Sequence, residues 1–285
     1  MEHKKDYRIP WRNGVLNLSA RTHIMGIINL TPDSFSDGGK YLDANRAVDH
    51  AWKLVEDGAD ILDFGGESTR PGSEPVSLDE ESRRVLPVIE AVIDQISAPV
   101  SIDTYKSQIA RRALDIGCDI VNDISGLRFD KDMAGVIAER DAACVLMHIK
   151  GTPRDMQRNP VYNDVMKEIS DYLQESIRLA EEGGIDPKKI IVDPGIGFGK
   201  RMEDNINIHR NLRKLNQLNK PILFGSSRKS FLGQILDLPV DQRMEGTIAS
   251  VAVAVINGAH IVRVHDTLPI KRAIRTIDAL IGKSA

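Results

Sequence analysis

No stretch of this 285-residue chain stays apolar for anything near the roughly 18 residues that a membrane span requires. The first eight residues, Met1 to Arg8, are charged and polar where a secretory signal would carry its apolar region, so the cytoplasm is the expected compartment. Cysteine is scarce. Cys118 and Cys144 sit among apolar neighbours with no CxxC pair, which excludes a disulfide framework and makes both read as small core residues. Charge of one sign is also missing: a formal net charge of −3 leaves no electrostatic footprint for nucleic acid. Any anion contact must then come from local clusters of Arg and Lys, which suits a small phosphorylated ligand better than a duplex. No low-complexity tract, Gly/Ser linker or break in composition divides the sequence, so residues 1–285 are expected to form one domain.

The nucleotide fingerprints are missing too. The turn after the first apolar run reads Asn29-Leu30-Thr31-Pro32-Asp33, without the GxGxxG of an open dinucleotide-binding sheet. Gly195-Ile196-Gly197-Phe198-Gly199-Lys200 resembles a phosphate loop only superficially. Its glycine spacing is wrong, and Arg201 follows the lysine where a Walker sequence needs Ser or Thr.

What is present is an eightfold alternation. Short apolar runs at 24–28, 59–64, 100–102, 120–121, 143–147, 190–192, 221–224 and 261–264 each end in polar or small residues. Those tips hold Asn29, Gly65 with Gly66, Asp103, Asn122, His148, Asp193, Gly225 with Ser226, and Arg263 alternating with His265. Between them lie segments of helical periodicity, such as Ala44, Val48, Ala51, Trp52 and Val55 before a stop at Asp57-Gly58. Ser77 with Glu80 has capping-box spacing ahead of Val85, Val88, Ile89 and Val92, and further helices are expected over 106–116, 133–140, 165–182, 205–218, 243–257 and 269–281. Right-handed crossovers turn such a series into a parallel sheet, and eight repeats favour a TIM (β/α)8 barrel, with an open doubly wound sheet as the alternative. In a barrel the polar tips all fall on one rim. Residues 1–20 read as a hairpin, with Asn13-Gly14 suiting a type I′ turn, that plugs the barrel's base.

Two long loops combine glycine hinges with reactive side chains, as active-site lids do: residues 31–39 after the first run and 65–73 after the second. Three blocks in particular, Asn29-Leu30-Thr31-Pro32-Asp33-Ser34-Phe35-Ser36-Asp37-Gly38-Gly39, Gly66-Glu67-Ser68-Thr69-Arg70-Pro71-Gly72 and Asp193-Pro194-Gly195-Ile196-Gly197-Phe198-Gly199-Lys200, resemble the dihydropteroate synthases of folate biosynthesis. Ser227-Arg228-Lys229-Ser230-Phe231, Arg243 through Gly246-Thr247, and Arg263-Val264-His265-Asp266 agree with the same family, so the resemblance spans residues 25–266. The sequence departs from the family at His148, where Gln is common, and at Arg201, where Thr is usual.

That resemblance implies a dimeric TIM barrel that condenses 6-hydroxymethyl-7,8-dihydropterin diphosphate with para-aminobenzoate, giving dihydropteroate and diphosphate through an SN1-like pterin carbocation. Its small-molecule substrates would be handled without nucleic acid or membrane. The side chains suit the chemistry. A pterin edge of adjacent N–H donors fits a buried carboxylate, for which Asp193 is the candidate. Asp103, Asn122 and Lys229 would read the other ring atoms, Met147 and Phe198 would form apolar walls, and the resemblance adds Ile124, Gly225 and Arg263 to the pterin site. The diphosphate would meet Arg263, His265 and Arg70, with Asn29 helping to hold Mg²⁺. Para-aminobenzoate would lie among Phe35, Thr69, Arg70, Pro71, Phe198 and Ser230, and a helix starting near Ser230 would turn free N–H groups toward its carboxylate. Asp103, Lys229, Arg263, His265, Arg70 and Asp37 are the implied catalytic set. Two other readings share Asp103, Asn122 and Asp193: a methyltransferase of the related pterin-binding barrels, and a noncatalytic pterin-binding paralogue. Only the synthase needs the lids and the anion residues.

Overall fold

The computed structural model describes residues 6–31 and 40–284. Two short strands open it, β1 (Arg8–Trp11) and β2 (Gly14–Asn17), paired antiparallel with Trp11 opposite Gly14. The turn is therefore Arg12-Asn13, one residue earlier than expected, and no residue of it has a positive φ, so it is not type I′. Gly14 serves another need: a Cβ there would sit 3.1 Å from Trp11 Nε1, so the glycine lets the indole lie against the backbone.

Eight parallel strands follow: β3 (His23–Asn29), β4 (Ile61–Gly65), β5 (Val100–Asp103), β6 (Ile120–Asp123), β7 (Ala143–Met147), β8 (Ile190–Asp193), β9 (Leu223–Phe224) and β10 (Ile261–Val264). They are ordered β8-β7-β6-β5-β4-β3-β10-β9, and a parallel bridge between Val192 and Ile222 joins the two outer members. The result is a nearly closed TIM barrel, as the alternation requires. Strand runs buried on both faces have no solvent side to present, which is why their sequences are continuously apolar.

The connecting helices are α1 (Lys40–Glu56), α2 (Leu78–Val92), α3 (Ser107–Ile116), α4 (Met133–Glu139), α5 (Val165–Glu182), α6 (Met202–Asn211), α7 (Ser230–Leu236), α8 (Met244–Ile256) and α9 (Thr267–Leu280). Ser77 caps α2 by accepting from Glu80 N, although the Glu80 carboxylate turns to Arg83 and Arg84 rather than back to the cap. The helix expected over 205–218 begins earlier, at Met202, and after Asn211 tightens into a 3₁₀ segment, Leu212–Leu218. None of the helices is long and apolar enough to cross a membrane among the described residues.

Inside the barrel, Met25, Ile61, Ile120, Ala143, Val145, Ile191, Leu223 and Ile261 form an apolar core that Ile9, Leu16 and Leu18 of the hairpin cover from below. Each buried aliphatic chain contributes about 1.5–3 kcal/mol, so the floor is closed at the amino-terminal end and polar groups are left for the opposite rim. Arg12 fastens the hairpin there, through its backbone N–H to Asp119 and its guanidinium to Ile93 O.

Candidate functional site

Strand register puts the polar tips at one level. Asn29 lies opposite Gly65, Gly65 opposite Asp103, Asp103 opposite Asn122, and Met147 opposite Asp193. On β10, Arg263 points to the barrel axis and reaches across it. Its Nε donates to Asp63 Oδ2 at 2.6 Å and its Nη2 to Asp103 Oδ2 at 2.6 Å. Asn122 Nδ2 donates to the same Asp63 oxygen at 3.0 Å. Burial raises the pKa of Asp103 and the Arg263 charge opposes it, while Asp63 and Glu81 push it further up. The Arg263 guanidinium, flanked by two carboxylates, is held firmly charged against the burial that disfavours it.

Across the rim, burial lifts Asp193 to about 6, against the Gly195 N–H that donates to Oδ1 at 2.7 Å and the Lys229 charge. Lys229 is lowered to about 8, first by burial and then by Arg263, and its ammonium lies 4.1 Å from the Phe198 ring centroid. Phe198 packs with Ile124, Met147, Ile149 and Met156 in one apolar cluster beside these charges. The loop carrying Phe198 explains its glycines. Gly195, Gly197 and Gly199 all have positive φ, and a Cβ at Gly195 would fall 1.9 Å from His148 O. Lys200 turns inward, not toward a phosphate: its buried Nζ donates to Phe198 O at 2.9 Å and lies 2.9 Å from His148 Nδ1. Its pKa falls well below the usual lysine value, chiefly by burial, and His148 is thus a core histidine that supports the loop.

Arg228 and Lys229 divide their tasks. Arg228, at φ 59°, pairs bidentately with Asp266 and takes a bond from its own N–H to Thr247 Oγ1, while Arg243 donates to the Arg228 carbonyl. That brace leaves Lys229 to enter the pocket. Gly225 sits beside Arg263, and Ser230 begins α7. His265 lies just past β10 with Nδ1 3.0 Å from Ser227 Oγ; burial and then Arg263 lower its pKa to about 3, so the ring is neutral. Arg70 is among the charges acting on His265, which places it over the same end of the rim. Thr69 is half-buried and Pro71 exposed next to it. Phe35 and Asp37 lie outside the described residues.

The structure also brings in residues the sequence reading passed over. Asp63 is the main one. A lone acid inside the run Ile61-Leu62-Asp63-Phe64, on the interior parity of Ile61 and Gly65, was the available signal. A second group braces the 66–77 loop: Glu67 accepts from Tyr105 Oη at 2.6 Å, from Lys106 Nζ at 2.6 Å and from Val76 N at 3.1 Å. Lys106 also reaches Glu81 at 2.5 Å, and Gly72 N donates to Pro153 O at 2.9 Å. A cavity of about 350 Å³ lies at the other end of the barrel, beneath the hairpin. Its cations are all paired, Arg12 with Asp119, Lys189 with Asp141 and Arg140 with Asp115, so it offers no charge to a ligand.

Comparison with known proteins agrees with this geometry. The family described as pterin binding enzyme matches residues 25–265. The dihydropteroate synthase of Clostridium beijerinckii is 47% identical over 94% of this chain and 97% of its own. The crystal structure of dihydropteroate synthase from Clostridium difficile in the presence of pteroic acid is 46% identical, covers 93% of this chain and 98% of its own, and superposes with a TM-score of 0.88. That from Xanthomonas albilineans with 4-aminobenzoic acid is 40% identical over 97% and 98% of the two chains, with a TM-score of 0.91. With the rim geometry and these likenesses together, the chain belongs to the pterin-binding enzymes, and within them to the dihydropteroate synthase family.

Proposed function

We propose that this chain condenses 6-hydroxymethyl-7,8-dihydropterin diphosphate with para-aminobenzoate, releasing diphosphate and forming 7,8-dihydropteroate for tetrahydrofolate synthesis. The observation that carries the reading is the convergence of Asp193, Asp103, Asn122, Lys229 and Arg263 beside the Ile124, Met147 and Phe198 wall. Asp193 would accept the paired N–H groups of the pterin edge, Asp103 and Asn122 would meet its other donors, and Lys229 would donate to the carbonyl side. Charge favours the reaction. Asp103 and Asp193, when ionised, would favour a positively charged pterin intermediate.

In the SN1-like course, the carbon–oxygen bond breaks first and diphosphate leaves with the electron pair, toward Arg263, His265 and Arg70. The neutral arylamine nitrogen then forms the carbon–nitrogen bond and loses its proton to solvent. No general base is needed, and the loops' task is to exclude water and align the amine among Thr69, Arg70, Pro71, Phe198 and Ser230, with Phe35 and Asp37 from the first loop. The described residues hold no group of three or more His, Cys, Asp or Glu that could bind a metal by themselves. The Asn29 side-chain oxygen would help hold Mg²⁺, which would supply positive charge to the leaving diphosphate.

Supplying both substrates with Mg²⁺ and following diphosphate together with dihydropteroate should show the two products rising in equal amounts, with a sulfonamide competing against para-aminobenzoate. Pterin binding without diphosphate release would instead select the noncatalytic reading. pH gives a further expectation. Pterin binding needs Asp193 ionised, since a protonated acid sets a donor against a donor; its contribution to affinity should therefore hold above about pH 6 and weaken by about tenfold per unit below it, added to a loss that begins near pH 7 as Asp103 takes its proton, as calorimetric titration would read.

A homodimer is also part of the proposal. α8 is apolar around most of its circumference, and Val253 and Ile256 on it stay exposed, as do Ile235, Leu236 and Val240 ahead of it. A second copy would cover this face, and light scattering should report twice the chain mass.

A further inference from the structure

Asp63 stands where a barrel strand has no need of a charge. It is fully buried midway along β4, and a buried carboxylate is costly unless it is paired. An apolar residue would serve packing better. Its bonding is also lopsided. Oδ2 takes both Arg263 Nε and Asn122 Nδ2, while Oδ1 is buried without any partner. One oxygen thus ties together two residues from strands on opposite sides of β4.

We propose that Asp63 is a positioning residue for the reaction, fixing the donor and acceptor pattern that Arg263 and Asn122 present to the pterin diphosphate. With one Nδ2 hydrogen committed to Asp63, the plane of the Asn122 amide is fixed, so its oxygen and its second N–H keep set directions toward the substrate. With Nε on Asp63 and one Nη2 hydrogen on Asp103, the guanidinium is held along two edges, and its remaining N–H groups keep set directions. The Arg263 side chain keeps 20% of its surface exposed, which leaves it in reach of a ligand. Lysine could not replace Arg263 in this arrangement, because a point charge cannot be gripped at two edges and leave a third directed. Asp63 also faces Asp103, alongside Arg263 of β10, Glu81 of α2 and Lys229 of the turn after β9, and it disfavours the ionised form of Asp103.

This inference rests on the synthase reading for its kinetics but not for its binding arm. Asp63→Ala and Asp63→Asn would be compared with the wild-type chain for direct binding of the dihydropterin diphosphate, for kcat and both KM values, and for pH dependence, with thermal melting as the check on folding. Asp63→Ala is expected to lower kcat/KM for the pterin substrate by about a hundredfold and to leave KM for para-aminobenzoate within about threefold. Asp63→Asn, whose oxygen can still accept both bonds, should regain about tenfold of that loss. In either variant the Asp103 step of the acid limb of the pterin kcat/KM profile, near pH 7 and above the Asp193 step near 6, should move to lower pH, because Asp103 loses a like charge while keeping Arg263. Equal losses in the two variants, equal losses for the two substrates, or an unmoved acid limb would overturn the proposal and leave Asp63 a structural residue. If Asp63→Ala does not fold, the Asp63→Asn binding and pH shifts alone decide in the same way. Absence of turnover in the wild type would count against the synthase reading, while the pterin affinities would still test Asp63.

Discussion

Arg263→Ala is expected to lower kcat/KM for dihydropterin diphosphate by about a thousandfold, while the affinity for a pterin without diphosphate falls by about tenfold. The asymmetry follows from where the charge acts. Negative charge grows on the departing oxygen as the carbon–oxygen bond stretches, so a cation aimed there is worth more in the transition state than in the ground state. The bare pterin feels only the second role of Arg263, which is to hold Asp103 and Asp63 apart at 2.6 Å from its own nitrogens. Removal also leaves two buried carboxylates facing each other, a cost of about 3–5 kcal/mol that should appear as a lower melting temperature. Rapid-quench measurement of diphosphate release set beside fluorescence titration of the pterin separates the two effects, and equal losses in both would contradict the assignment.

Asp193→Asn should act the other way round, weakening pterin binding by about a hundredfold, or about 2–3 kcal/mol, with a smaller loss of kcat at saturation. The substitution is clean because the new amide oxygen can keep the bond from Gly195 N, and the 195–199 loop then stays in place. What changes is the other atom. An NH₂ group would meet the N–H donors of the pterin, and a donor facing a donor is worse than no contact. The variant should also lose the Asp193 step near pH 6, leaving only the Asp103 step near 7. Calorimetric titration at pH 5.5 and 8 would find the dependence reduced, and an unchanged dependence would assign the pH effect to Asp103 alone.

The barrel was legible because its signal is repetitive: eight apolar runs, each followed by a helical segment, leave few other ways to bury both faces of every strand. Most site residues were legible for the same reason, as a polar group at the end of a buried strand has only the rim to occupy. Asp63 was not, because it lies within a run and not at its tip, and its purpose exists only through Arg263, 200 residues away in sequence. The split between Arg228 and Lys229 is visible only once the Asp266 pairing and the positive φ of Arg228 are known. Asn13-Gly14 misled for a simpler reason: its glycine answers to the Trp11 ring, a packing demand that local turn preferences do not contain. Likewise Lys200 resembles a phosphate ligand in sequence, yet its nitrogen is taken up by Phe198 O and His148.

Glu67 grips Val76 near the far end of the 66–77 loop, with Tyr105 and Lys106, just past β5, anchoring both. Such a cinch makes a noose of the intervening residues. The closure entropy of a segment depends on the distance between its fixed points, and here that distance is set before any ligand arrives. Arg70 therefore stands only a few residues from a fixed point on either side, which confines its side chain to a small volume above the rim.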